Sequence, residues 1–295
     1  MDRQWTGRTD GTPRMQKALI VLFRYIDIRV MYGVMAVVIV GYMLFRPSAT
    51  RAQYTYFRRC YSLGLIQALI RTYCNFFRFG QVVLDRFAAY AGRTFRFIYE
   101  DEPLFREMLD SGAGGLLLSS HAGNFEMAGY TFSPGNRTMW ALAYAGESEV
   151  VRRKREQMLN RNHIRVIPVA DDMSHVFLLH DALSHGDIVS MPGDRQLGHS
   201  RDIKSLFFGQ AAPFPMGPFH IASRMRVCTL AMWVMKEKWD TYRVLVRRVE
   251  GTSAQQLADS YAAQLEQVVR HYPTQWYHYY DFWNGQIDRT QPFDR

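Results

Sequence analysis

His121 and Glu126 stand where an apolar run gives out, in Leu117-Leu118-Ser119-Ser120-His121-Ala122-Gly123-Asn124-Phe125-Glu126. The run reads as a buried strand, and the two serines mark its end. A histidine on the loop beyond it and a carboxylate in the first turn of a following helix pair a base with an acid that orients it. In open α/β sheets ligands bind at this edge, outside the carboxyl ends of the strands. A neutral imidazole held by a carboxylate is a general base near neutral pH. No serine or cysteine nucleophile motif accompanies the pair, and Gly-x-Ser-x-Gly is absent, so the nucleophile is expected to belong to the substrate.

A loop histidine needs a scaffold, and the pattern from about Phe95 onward alternates strand and helix. Strands are expected at Gly115 to Ser120, Thr138 to Ala143, Arg165 to Val169 (ended by Asp171 and Asp172), Ile188 to Met191, Val227 to Val234 and Tyr242 to Val249. Helices are expected from Gly123 to Thr131 with Asn124 as a cap, at Glu147 to Asn162, Ser174 to Ser184, Met216 to Met225 and Ser253 to His271. Such alternation implies an α/β fold: a largely parallel sheet flanked by helices.

Upstream the chain changes character. Val30 to Phe45 is 16 residues without a charge, slightly short of the ~20 that a full span needs. A membrane-inserted helix over about 25–45 is expected, with a buried core helix as the alternative. Arginines flank both sides, so the positive-inside rule does not orient it. Residues 53–92 mix arginines with ten tyrosines and phenylalanines, which suits the headgroup region of a bilayer and equally suits helices packed on a catalytic domain. The division is therefore residues 1–92 as a membrane-associated helical region and 93–295 as the catalytic domain.

Composition narrows the partners. Among 295 residues, 48% are hydrophobic, which excludes a disordered chain, and the net charge is +9, which favours acidic partners. Three cysteines without C-x-x-C spacing argue against a disulfide framework or a zinc site. His175, His180 and His185 are spaced by five, which does not keep one helical face, and are read as non-metal. The basic run Arg152-Arg153-Lys154-Arg155 is a solvated face or a docking point for an acidic carrier. No nucleic-acid recognition motif supports binding of DNA or RNA.

His121-Ala-Gly-Asn-Phe-Glu126 resembles the H-x4-[D/E] block of the lysophospholipid acyltransferase superfamily, in particular its lipid A late acyltransferase-like branch of lauroyl and myristoyl transferases. Further blocks follow in order: Ser190-Met-Pro-Gly-Asp194-Arg195, then Phe207-Phe-Gly209 with Phe214-Pro-Met-Gly-Pro-Phe-His-Ile-Ala222, then Gln275-Trp-Tyr-His-Tyr-Tyr-Asp-Phe-Trp283. Two departures set the chain apart from the wider superfamily: Gly-Asp-Arg replaces Gly-Thr-Arg, and Val227 to Val234 contains no proline. Both fit the lipid A-like branch better.

The resemblance implies a membrane-bound enzyme that moves a fatty acyl chain from a thioester to a hydroxyl or amine of a lipid or glycolipid acceptor. The donor is acyl carrier protein or, second, coenzyme A, as a co-substrate, with no metal and no other cofactor. In that reading His121 is the base and Glu126 fixes its tautomer. Arg195 and backbone amides after Gly123 meet the oxyanion, and Asp194 orients Arg195 or a headgroup. Asn124 and Arg161 are further substrate-binding candidates. The implied location is the bacterial inner membrane, with the catalytic domain on the cytoplasmic face. A thioesterase or lipid hydrolase using the same pair, or a non-catalytic carrier- or membrane-binding protein, are the alternatives.

Overall fold

The computed structural model describes residues 12–130, 134–143, 148–169, 174–195 and 201–283. Four helices open the chain: α1 (Pro13–Leu22), α2 (Ile28–Phe45), α3 (Pro47–Tyr61) and α4 (Leu65–Tyr90). Then come β1 (Arg96–Glu100), α5 (Glu102–Asp110), β2 (Gly115–Ser119), α6 (Phe125–Ala128), β3 (Met139–Ala143), α7 (Glu149–Asn160), β4 (Ile164–Pro168), α8 (Ser174–Ser184) and β5 (Ile188–Pro192). The chain continues through β6 (Asp202–Phe207), β7 (Gln210–Pro215), α9 (Met216–Met225), β8 (Cys228–Lys236), β9 (Thr241–Arg248) and α10 (Ala254–His271). The expected helix limits at Thr131 and Glu147, and the strand-ending Asp171 and Asp172, lie outside the described residues.

Among the described residues seven strands form one sheet in the order β1-β9-β8-β2-β5-β3-β4, in which only the β8–β9 pair is antiparallel. The α/β fold with a mostly parallel, helix-flanked sheet is thus as the alternation implies. β2 lies at its centre, buried at every position, which is why it reads as an unbroken apolar run instead of an alternating one. Leu116 and Leu118 enter one core with Leu265 and Val269 of α10, while Leu117 enters the opposite core with Met108 of α5 and Met127 of α6. Helix starts follow local chemistry. Ser253 and Gln256 form a reciprocal capping box at α10, and Thr12, Asp27 and Ser148 cap α1, α2 and α7.

Strand β1, helix α5 and the hairpin β6–β7 go beyond the expected elements of the α/β unit. Helix α5 precedes the first expected strand. The hairpin β6–β7 turns through Phe208 and Gly209, both at positive φ, a conformation suited to a two-residue hairpin. Phenylalanine is a poor signal for that turn. Here its amide donates to Glu266 Oε2 at 2.5 Å, which pins the loop to α10.

The opening helices pack on this unit through a buried charge cluster. Asp85 of α4 pairs with Lys236 at the end of β8, and both are shielded from solvent. Tyr32 of α2 and Tyr242 of β9 donate to the same carboxylate. Lys236 Nζ also donates to the Trp239 carbonyl at 3.1 Å. Burial pushes the Asp85 carboxyl up, opposed by the lysine charge and three hydrogen bonds. Removing one partner of such a pair leaves an uncompensated buried charge. Asp85→Ala is therefore expected to cost about 3–5 kcal/mol, and pairing Asp85→Leu with Lys236→Met should recover most of it. Denaturant unfolding of the purified protein measures both; a single variant as stable as the parent would contradict this role.

Candidate active site

The parallel register of β2 and β5 sets Ser119 opposite Pro192. Two residues beyond each strand stand His121 and Asp194, so equal extension of neighbouring strands brings them together at the carboxyl edge. The Ser119 carbonyl fastens the edge by accepting from the Gly193 amide at 2.9 Å and the Tyr261 hydroxyl at 2.7 Å. Gly193 lies against the Tyr261 ring so closely that a Cβ would stand 2.7 Å from Cζ.

Asp194 is fully buried and binds His121 twice. Oδ1 lies 2.8 Å from the imidazole Nδ1, and Oδ2 accepts from the His121 amide at 2.8 Å. Oδ2 also accepts from the Trp276 indole at 3.2 Å. His278 places Nε2 3.3 Å from the Asp194 carbonyl and 3.8 Å from Oδ2. Burial opposes the charge on Asp194, but His121, His278 and Arg195 outweigh it and hold the carboxyl well below its ordinary range. Ionised, it only accepts, so the proton of neutral His121 sits on Nδ1 and Nε2 carries the free lone pair. The His121 side chain is 22% exposed, against 0% for Asp194, so one group meets substrate and the other does not. Desolvation first, then the Arg195 charge, lower the imidazole pKa, while Asp194 raises it; the net direction is down from 6.5.

This geometry changes the partner expected for the base. Glu126 does not contact His121. Its carboxylate faces α4 and α6, where Oε2 accepts from Arg86 at 3.2 Å and Oε1 from Tyr90 at 2.8 Å and from Tyr130. Burial raises its pKa, but Arg86, the Tyr130 hydrogen bond and Arg155 outweigh this and leave it lowered. The reason lies in the turn. Gly123 takes φ +69°, and its amide donates to the Gln275 carbonyl at 2.7 Å. A Cβ there would stand 2.2 Å from the Val234 oxygen, so the chain crosses the end of β8 before α6 begins. That displaces Glu126 toward α4.

Asn124 is buried at the N-terminal boundary of α6, yet its side chain does not cap the helix. Its Nδ2 approaches the Tyr242 hydroxyl at 3.3 Å, which joins the loop to the Asp85 cluster. Of the backbone amides after Gly123 that are expected to meet an oxyanion, that of Asn124 already donates to the Val234 carbonyl, as the Gly123 amide itself does to Gln275. Those of Phe125 and Glu126 are the ones a first helical turn leaves without an intrahelical partner. Arg195 donates to the Tyr277 carbonyl at 3.0 Å and lies over the Tyr280 ring; Asp194 is turned to His121 instead of to it. Arg161 is exposed where α7 ends and takes no part in the His121–Asp194 bonds. In the basic run, Arg152 and Arg153 pair with Glu149 and Glu156 on their own helix.

Trp276 and His278, marked in the sequence only as members of an aromatic block, also bond to Asp194. Both come from the closing segment, which runs under the loop: the Tyr277 amide donates to the His121 carbonyl at 2.9 Å, and Ala122 bridges Trp276.

The family described as bacterial lipid A biosynthesis acyltransferase matches residues 84–283. That stretch holds every residue of this site, and the chain belongs to that family. It is an acyltransferase of the lipid type. No curated protein matches the chain.

A hydrogen bond to an ionised acceptor contributes about 1.5–3 kcal/mol. Trp276→Phe keeps an aromatic ring among its edge-on neighbours and removes the indole donor, so it should destabilise the fold by at least that order. Unfolding of Trp276→Phe in the Asp194→Asn background should show most of the loss gone; an equal loss in both backgrounds would place the indole's contribution elsewhere.

Proposed function

We propose that this family member moves a fatty acyl chain from an acyl thioester, carried by acyl carrier protein, to a hydroxyl or amine of a lipid or glycolipid acceptor. The observation that carries the reading is the buried Asp194 carboxylate on Nδ1 of a half-buried His121, with Nε2 left as the base. Nε2 takes the acceptor's proton as its oxygen or nitrogen attacks the thioester carbonyl. The new carbon–heteroatom bond gives a tetrahedral oxyanion. Arg195, beside His121, supplies positive charge to that intermediate, and the first-turn amides of α6 are the nearest backbone donors. Collapse breaks the carbon–sulfur bond, and the imidazolium returns its proton to the departing thiolate. No acyl-enzyme forms, so donor and acceptor meet in one ternary complex.

Asp194 takes the orienting part in this scheme. As an ionised neighbour it stabilises the imidazolium formed in the transition state, as a buried aspartate does beside a catalytic histidine elsewhere. Glu126, tied to Arg86, Tyr90 and Tyr130, holds the loop and α6 against α4. Asn124 does the same toward Tyr242. Of the substrate-binding candidates, Arg195 is the one within reach of the base; Arg161 stands as a contact for the acceptor headgroup or the carrier.

The opening helices, about 1–92, serve as a membrane-associated region ahead of the catalytic domain. Helix α2 is long and apolar enough to cross a membrane, with mean hydropathy 2.0 over 18 residues, and 17% of it is buried. A lipid acceptor and the excess of positive charge favour attachment to the bacterial inner membrane with the site on the cytoplasmic face, where acyl carrier protein is found.

Transfer of a labelled acyl chain from acyl carrier protein into a bacterial membrane lipid extract tests the proposal. His121→Ala should abolish the acylated lipid, and Asp194→Asn should lower the rate by about 10²–10⁴. Free fatty acid as the sole product would make the enzyme a hydrolase. The pH dependence follows from the shift of His121. The base must be neutral, and its folded pKa lies below 6.5, so the acid limb of kcat/KM should fall below 6.5. Asp194→Asn removes the group that raises this pKa and should move the limb lower still. A limb unmoved in Asp194→Asn would remove Asp194 from the imidazole.

A further inference from the structure

We infer that α2 does not cross the bilayer but lies along one face of it, and that the first turns of α4 enter the same leaflet beside it. The inference rests on the reading of the chain as membrane-attached and concerns how it attaches.

An 18-residue helix is about 27 Å long, close to the hydrocarbon thickness of about 30 Å. If α2 spanned, its far end would lie about that distance from a domain standing on one face. The first end of α2 instead touches the α/β unit directly, and the other end reaches it through Phe76 of α4. At the first end the Tyr32 hydroxyl bonds Asp85 and the Trp239 carbonyl, and the Arg29 guanidinium sits 4.2 Å from the Trp239 ring centroid. At the other end Tyr42 packs on Phe76, their centroids 5.8 Å apart, and Phe76 stacks on Tyr279 at 4.7 Å. The chain then turns at once. Thr50 donates to the Met43 carbonyl at 2.9 Å, and Gln53 donates to the His278 carbonyl at 2.7 Å. Gln53 is one short helical stretch past the end of α2, and it is already beside the active-site segment.

What α2 turns outward is a single apolar stripe. Val30, Val34, Val37, Val38 and Leu44 are exposed, at spacings that keep one helical face. Tyr32 near Asp85 and Tyr42 near Phe76 show that α2 and α4 run antiparallel, which carries the end of α2 toward the start of α4. There Leu65, Ile66, Leu69 and Ile70 are exposed on one side of α4, again at one-face spacing. Two adjoining apolar stripes left uncovered by the described residues are unusual on a soluble surface. The exposed Arg24, Arg51 and Arg71 lie on the same helices or their connections, and the chain carries +9. An apolar face bordered by arginines fits the headgroup–acyl boundary of an anionic bilayer. The arrangement also places the acceptor's leaflet beside Trp276 and His278, since Asn75 of α4 donates to the Trp276 carbonyl at 2.9 Å.

Topology decides it. The full chain, with one epitope before Met1 and another after Arg295, is expressed in a bacterium, and sealed inverted inner-membrane vesicles are treated with protease. Both epitopes should be cleaved together, because the two termini lie on one side. A protected N-terminal epitope beside a cleaved C-terminal one would overturn the inference and leave membrane attachment standing. A wild-type protein found only in the supernatant would overturn the attachment itself. Flotation with vesicles of phosphatidylethanolamine and phosphatidylglycerol separates the two stripes: Leu69→Glu with Ile70→Glu should shift most of the protein off the vesicles while its thermal unfolding stays as in the parent. Undiminished flotation of that variant would exclude α4 from the leaflet.

Discussion

One buried carboxylate organises the edge of this sheet. Asp194 has no access to solvent, and it accepts from the amide and the imidazole of His121 and from the indole of Trp276. A desolvated carboxylate is expensive unless its lone pairs are met. The structure meets them with three different segments, so the same need that keeps Asp194 ionised also draws the β2 loop, the β5 loop and the closing segment to one point. An imidazole held in this way has its tautomer and ring plane fixed before substrate arrives, which is what lets a base act without reorganisation.

The second buried carboxylate, Asp85, ties the opening helices to that edge. It joins α2, α4, β8 and β9 through Tyr32, Lys236 and Tyr242, and Asn124 carries the link on to the loop that bears His121. The opening helices and the loop that bears His121 are therefore one connected body. On the proposed attachment of those helices to lipid, packing and not a flexible tether fixes the position of Nε2 relative to the bilayer surface.

Much of this was legible in the residues. The two runs Gly115 to Ser119 and Ile188 to Pro192 are apolar because each is covered on both faces, and both end two residues before a chemically capable side chain. That equal spacing, read with parallel pairing, is the signal that could have joined His121 to Asp194. Counting along one segment pointed to Glu126 instead, because linear spacing does not reveal the crossing over β8 that Gly123 permits. The block Gln275 to Trp283 marked Trp276 and His278 but not their partner, because Asp194 lies more than 80 residues away in sequence. The hairpin at Phe208 was missed because Gly209 is its one turn-forming residue, and the positive φ of Phe208 is held by a tertiary contact with Glu266.

Asp194, and not Glu126, faces the Nδ1 proton of His121. Selective ¹⁵N labelling of the nine histidines, with His121 assigned by its loss in His121→Gln, reads that proton directly. The expected result is a neutral imidazole protonated on Nδ1, with a downfield proton resonance that disappears in Asp194→Asn and persists in Glu126→Gln. A resonance that survives Asp194→Asn and is lost in Glu126→Gln would contradict it.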